Sequence, residues 1–354
     1  MQLQNAEPVG QPRLIYDSAP ENGIPVYQDF SRNCWTVNGS TLLAVTPNDA
    51  VMVCLAIPTD APDQVKKIER VDALLSVTSE YLLVSYSNSM TGPGLKLLSI
   101  AQDYKAIPIT IPSSRIEFPV EVQFVSGEFS PPSIYHGPTA ASVPPNSIPL
   151  IVYPHGGPHS TFVDSFAPDV IFFLKLGFAI IRLNYVGSTG GTRDTADELL
   201  GKAGDRDVKD CQSIVEKVLN SMPVLNPDKV VLFGGSHGGF LSAHLSGQYP
   251  SVYKAAVMRN PVTDMCTLVG TSDITDWTYA ESGITFPEYP VQTLIPTARD
   301  LIDAGKYIAA SPIHYAQRVQ GATLLLLGSE DLRVPPQQGI NYYRALKAYG
   351  KVAE

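Results

Sequence analysis

The rhythm of apolar and polar positions changes near residue 148. Before it, from about Cys34 to Ile111, short runs rich in Val, Leu and Tyr (WTVNGSTLLAVTP, AVMVCLAIP, ALLSVTSEYLLVSYSN, GLKLLSIA) are broken by Asn-Gly and Pro. Runs of this length and composition predict antiparallel sheet. Propeller blades hold four such strands each, so this stretch has room for roughly two blades, fewer than a closed ring needs. A small β subdomain satisfies the same pattern.

Between 113 and 147 the pattern loosens. One strand is predicted at VEVQFVS, and Pro131, Pro132, Pro138, Pro144 and Pro145 argue against continuous pairing after it. From Ile148 apolar runs alternate with amphipathic ones, which predicts a mostly parallel, doubly wound sheet. Its strands are PLIVYP, FAIIRLNYV, KVVLFGG, YKAAVMRNP and ATLLLLGS, each nearly all apolar, as strands covered on both faces must be. A helix over SFAPDVIFFLKLG ends at Gly177. Another, over RDVKDCQSIVEKVLNSMP, aligns Val208, Cys211, Val215, Val218 and Leu219 on one stripe. The expected organisation is a propeller-like β segment over 1–112, a Pro-rich connection with first strands over 113–147, and an α/β domain over 148–354.

Active sites of such sheets form at the carboxyl ends of the strands, and the candidate chemistry falls there. KVVLFGG runs into GGSHGGF, which sets Ser236 between Gly234 and Gly238 where a strand turns sharply into a helix. This is the nucleophile-elbow pattern, supported by its strand-before, helix-after context. HGGPHS, Gly156 and Gly157 included, follows PLIVYP as a glycine turn that can supply one backbone amide of an oxyanion hole, the amide of His237 supplying the other. The acid of such a triad follows a later strand, and Asp331 in GSEDLRVPP stands there, with Asp264 and Glu330 as rivals. The order Ser…Asp…His calls for a histidine beyond Asp331. All six histidines, His136, His155, His159, His237, His244 and His314, precede it.

Composition narrows the classes. At 44% apolar and 17% charged, the 354 residues suit a large packed core, and a net charge of −9 disfavours nucleic acid and anionic membrane surfaces. Met1–Arg13 lacks the apolar core of a signal peptide, and VIFFLKLGFAIIRLNYV is broken by Lys175, Gly177 and Arg182, so no membrane span is expected. Cys34, Cys54, Cys211 and Cys266 lack metal or redox spacing, which suits a reducing cytoplasm. In that setting the Asn38-Gly39-Ser40 sequon reads as a turn.

GGSHGGF, HGGPHS, NYVGSTGG, GDRDVKDC, MRNP, SPIHY and GSEDLRVP, in this order, resemble the prolyl oligopeptidase family of serine peptidases. The histidine within GGSHGG points to its acylaminoacyl-peptidase branch. The resemblance covers most of Ile148 to Gly350 and extends to TSDITDWTYAESG. It implies a β-propeller over an α/β-hydrolase fold and release of N-acylated amino acids from blocked peptides without a cofactor. By position it implies Ser236 as nucleophile, Asp331 as acid, Gly157 and His237 as oxyanion donors, and Arg333 as a ligand of a substrate carbonyl. A surface ion pair of Arg333 with Glu330 is the plainer alternative. Expected partners are N-acylated peptides and further copies of the chain, with neither nucleic acid nor a membrane.

Against the family pattern the β segment is short, and the last strand, the histidine and the last helix are missing, so both ends read as cut. Loss of the histidine costs a serine protease a factor near 2 × 10⁶ in kcat, so low turnover is expected. ATLLLLGS then becomes a possible edge strand prone to self-association. A carboxylesterase-like hydrolase and an inactive form that binds intact subunits are the alternatives.

Overall fold

The computed structural model describes residues 2–4, 7–9, 16, 23–27, 30–108, 120–138, 143–286 and 298–354. By its contacts the chain forms two compact units, one of residues 1–116 with 163–166, the other of 117–162 with 167–354.

In the first unit β1 (Gln2–Gln4) and β2 (Glu7–Val9) make an antiparallel pair. A three-stranded antiparallel sheet holds β3 (Thr41–Asn48), β4 (Val51–Pro58) and β5 (Lys66–Glu69). A four-stranded meander holds β6 (Ala73–Val77), β7 (Tyr81–Asn88), β8 (Thr91–Ser99) and β9 (Lys105–Ile107). Alternation along β3 and β4 sends Leu43, Cys54 and Ala56 into one apolar cluster with Leu82, Val84 and Leu98 of the meander. Leu42, Ala44, Val53 and Leu55 enter another on the opposite face. A later piece of chain joins this unit. Asp164, 8% exposed, accepts from Arg70 Nη1 (2.8 Å) and from the Ser89 amide (2.9 Å) and hydroxyl (2.6 Å).

The second unit is built on a seven-stranded sheet. Its strands are β10 (Glu121–Val125), β11 (Ser133–Gly137), β12 (Ile148–Pro154), β13 (Ala179–Leu183), β14 (Leu225–Gly235), β15 (Tyr253–Arg259) and β16 (Ala322–Leu326), in the spatial order β10-β11-β13-β12-β14-β15-β16. The five from β13 to β16 run parallel, and β10 and β11 are antiparallel. β11 corrects the expectation from proline content. Pro132 and Pro138 bracket a wholly buried five-residue strand and leave its own amides free to pair.

The helices of this unit are α1 (Pro168–Lys175), α2 (Arg193–Asp197), α3 (Arg206–Ser221), α4 (His237–Gln248), α5 (Met265–Leu268), α6 (Thr275–Glu281), α7 (Ala298–Ala309) and α8 (Gln337–Ala348), with a 3₁₀ helix over Pro312–Arg318. Alternate residues of β12 face opposite ways. Leu150 and Val152 pack with Val208, Cys211 and Val215 of α3, while Ile151 packs with Val170 of α1. Gly177, at φ +89°, donates its amide to the Leu174 carbonyl and ends the first turn-off from α1, as its place in the sequence predicts.

β16 is the last strand of the sheet, but its outer side is not bare. The Thr323 amide donates to Val352, Leu325 to Glu354, and Glu354 back to Thr323, so the last residues pair in parallel with it. The ladder brings Pro154, Leu183, Gly235, Arg259 and Leu326 to one end of the sheet, and the candidate residues follow directly after them.

Candidate active site

Ser236 is the N-cap of α4, at φ 57° and ψ −123°. For a residue with a side chain this is a strained backbone, of the kind concentrated at functional sites. The neighbours enforce it. A Cβ on Gly234 would overlap the carbonyl oxygen of Gly238, and one on Gly238 would overlap that of Pro154. The Ser236 amide donates to the Arg259 carbonyl at 3.0 Å and its carbonyl accepts from Phe240 at 3.0 Å, so the bend is tied on both sides. The hydroxyl is half-buried and without a hydrogen-bond partner among the described residues.

The HGGPHS loop lies against this bend. A Cβ on Gly156 would stand 3.5 Å from Ser236 Cβ and 3.3 Å from the Gly235 carbonyl oxygen. Gly157 has φ +125°, open only to glycine. His155 anchors the loop. Its Nδ1 pairs with the Gly156 carbonyl (2.6 Å) and its Nε2 with Ser188 Oγ (2.7 Å), and its ring stacks on Tyr185 at 4.4 Å. Burial pushes its pKa down to about 3, so the ring is neutral and every nitrogen is satisfied. His159 Nδ1 pairs with the Gly187 carbonyl (2.9 Å) and its Nε2 with Glu281 Oε1 (3.1 Å).

His237 turns its ring away from the serine. Its Nε2 pairs with Asp207 Oδ2 at 3.0 Å, the two side chains being 1% and 0% exposed. His244 is buried in α4, bonded to the Ala310 carbonyl and Gln248, and burial lowers its pKa to about 4. His314 is exposed on the 3₁₀ helix. Among the described residues no histidine ring bonds to Ser236 or to Asp331.

Asp331 is held from three directions. Oδ2 accepts from Asn260 Nδ2 (2.6 Å), and Oδ1 accepts from the amides of Arg333 (3.0 Å) and Val334 (2.9 Å). Asn260 sits at φ 41° just past β15, and its Oδ1 also accepts from the Gly328 amide. The rivals are otherwise placed. Asp264 caps α5 through the Cys266 amide and Thr267 hydroxyl, and Glu330 is exposed. Arg333 does form a surface ion pair, but with Asp273 and not Glu330. Nε reaches Oδ1 at 2.6 Å and Nη2 reaches Oδ2 at 3.1 Å. That bond, ahead of the charge attraction, holds the Asp273 carboxyl below its usual range.

Asp207, Asn260, Glu281 and Asp273 carry these arrangements, and the sequence alone did not mark them. They lie in GDRDVKDC, MRNP and TSDITDWTYAESG, where only the order of motifs set them apart. No cluster of His, Cys, Asp or Glu suited to a metal ion occurs among the described residues, and none of their helices is long and apolar enough to cross a membrane.

A mostly parallel sheet, a strained serine at the strand-to-helix bend and a glycine turn against it define an α/β-hydrolase fold. The family model described as "Prolyl oligopeptidase family" matches residues 164–354. The chain belongs to that family. It is 35% identical over 338 residues to the acylamino-acid-releasing enzyme of Sus scrofa, covering 89% of this chain and 44% of the pig protein. It is 45% identical over 200 residues to that of Homo sapiens, covering 56% and 26%. The chain thus spans less than half the length of these relatives. Among solved structures, acylaminoacyl peptidase of Pyrococcus horikoshii superposes with a TM-score of 0.70 at 20% identity, over 89% of this chain and 48% of the other.

Proposed function

We propose that this chain carries the hydrolytic centre of a serine peptidase that removes an N-acylated amino acid from the blocked end of a peptide. Ser236 attacks the carbonyl of the acylated residue, and the amides of Gly157 and His237 receive the negative oxygen. Asp331 is the acid that orients a histidine base taking the Ser236 proton, a base that no ring among the described residues supplies by a hydrogen bond to either residue, and Arg333 binds a substrate carbonyl through the donors that Asp273 leaves open. The observation that carries this reading is the backbone of Ser236, strained at φ 57° with Gly156 packed against its Cβ. The likeness to acylamino-acid-releasing enzymes supports acylated peptides as the substrate class. All four cysteines are free thiols, which supports a reducing compartment.

The test is hydrolysis of N-acetyl-alanyl esters and anilides against simple alkyl esters, for the parent and for Ser236→Ala. Slow cleavage of the acetyl-alanyl compounds, in preference to simple esters and absent from the variant, is expected. Cleavage of simple esters alone would place the chain with carboxylesterases.

The histidines favour a second reading, in which the 354-residue polypeptide by itself turns over little and acts by associating with other copies. Its rings at 155, 159, 237 and 244 are all engaged away from Ser236. Turnover near that of a complete serine hydrolase would exclude it.

A further inference from the structure

Two buried carboxylates lie outside the Ser236 and Asp331 positions just described, and each holds a histidine next to one wall of the proposed oxyanion hole. We propose that Asp207 and Glu281 are positioning residues of that hole, Asp207 fixing the His237 amide and Glu281 fixing the loop that carries Gly157. This inference rests on the hydrolase reading above and adds the means by which its two amides are held.

The two arrangements are alike in construction. Asp207 is 0% exposed at the start of α3. Its Oδ1 accepts the amides of Gly204 (2.8 Å) and Val208 (2.9 Å), which fixes the carboxylate, and Oδ2 is left to receive His237 Nε2 at 3.0 Å. The His237 ring is then packed between Tyr185 (6.0 Å) and Phe240 (4.7 Å), with Trp277 edge-on at 6.0 Å. A ring held on so many sides fixes its own Cα and the peptide unit entering it. That peptide unit carries the proposed donor N–H.

Glu281 is 1% exposed at the end of α6, and Oε1 meets His159 Nε2 at 3.1 Å. His159 Nδ1 meets the Gly187 carbonyl, and the Ser160 carbonyl accepts from the Thr189 amide at 2.9 Å. The loop two residues past Gly157 is therefore tied to α6 and to the turn after β13. The hydrogen bond that His159 donates to Glu281, ahead of the opposing cost of burial, raises the His159 pKa. The titratable groups facing His159 are Glu281 on α6, Asp197 on α2 and His155 on its own loop.

The two amides at the start of α3 account for Asp207 Oδ1 but not for the bond of Oδ2 to His237, and no packing need accounts for a charge at Glu281. A buried charge is costly unless paired and hydrogen-bonded, and Glu281 Oε2 lacks a partner among the described residues. At Glu281 an amide side chain would fill the same space without burying a charge. Oxyanion donors, by contrast, act only where the developing charge will stand, and displacement of about 1 Å can cost on the order of 100-fold in rate.

The experiment uses the isosteric variants Asp207→Asn and Glu281→Gln in the full chain. It reads the second-order rate of Ser236 labelling by a fluorophosphonate between pH 5 and 9, with melting temperature and the NMR titration of the His159 ring alongside. Each variant is expected to label at least about tenfold more slowly at pH 6 with melting close to the parent. In Glu281→Gln the His159 midpoint should fall, and the parent-to-variant rate ratio should shrink as pH rises and the parent's His159 loses its proton. A merely structural role would lower melting without that pH-dependent ratio. Labelling rates within twofold of the parent at every pH would overturn the inference and leave the hydrolase reading standing. Absence of any Ser236-dependent labelling in the parent would overturn both.

Discussion

The two sides of the site are made of different material. On the nucleophile side, Gly156, Gly157, Gly234 and Gly238 let main chain touch main chain, and His155, His237 and Asp207 behind them are almost wholly buried. On the acid side, Asp331 and Asn260 are joined by a side-chain hydrogen bond, Asp331 to the Arg333 amide, and the Arg333 side chain to Asp273, and the group is half-buried to exposed. Backbone geometry set by close packing cannot relax locally, whereas a side-chain relay at the surface can lose a member and re-form through water. Substitutions of the packed glycines on the nucleophile side should therefore fail in stability and reactivity together, and those on the acid side in reactivity with little loss of stability.

The largest effect is expected for Gly238→Ala, whose new methyl must displace the Pro154 carbonyl. Denaturant unfolding should show a loss of about 3 kcal/mol or more, since a rigid main-chain neighbour cannot give way as a side chain would. Acid should come next. His155 and His244 have folded pKa values of about 3 and about 4, below the ordinary 6.5, so the unfolded chain binds protons first as pH falls. Their share of stability is intact above pH 6.5 and is lost progressively down to those values, on the order of 5 kcal/mol for His155 and 3 kcal/mol for His244. Melting followed from pH 7 to 4 should fall accordingly, and His244→Gln should flatten the decline.

On the acid side, Asn260→Ala removes a donor to Asp331 and an acceptor for Gly328. It should cost about 1–2 kcal/mol of stability, with a larger proportional fall in turnover or labelling. Ser236→Gly should raise stability by about 1 kcal/mol while abolishing reactivity, because glycine tolerates positive φ. If it destabilises instead, the strain assigned to the bend is wrong. Smallest of all, Asp273→Asn should leave melting unchanged, since its ion pair with Arg333 is exposed and screened. A rise in KM for acylated substrates would show that the pair orients Arg333.

The same contrast explains what could be read from the residues. The elbow at Ser236 and the turn at Gly157 depend on local spacing of glycines, and the parallel strands on unbroken apolar runs, so both were visible. β5 and β9 were not, because KKIE and KAI are short, mostly exposed strands without an apolar signal. β11 was obscured by the prolines that bracket it. Asp207 and Glu281 stand among other charged residues, and only tertiary pairing with His237 and His159 separates them from solvated ones. The partner of Arg333 likewise comes from 60 residues away, beyond the reach of a local rule that favoured Glu330.

The central claim is that one hydroxyl is presented at a strained bend toward two main-chain amides. The most direct test is peptide mapping by mass spectrometry after treatment with a fluorophosphonate. A single adduct on the peptide containing Ser236, absent from Ser236→Ala, is the expected result. An adduct on another serine, or equal labelling of the variant, would contradict it.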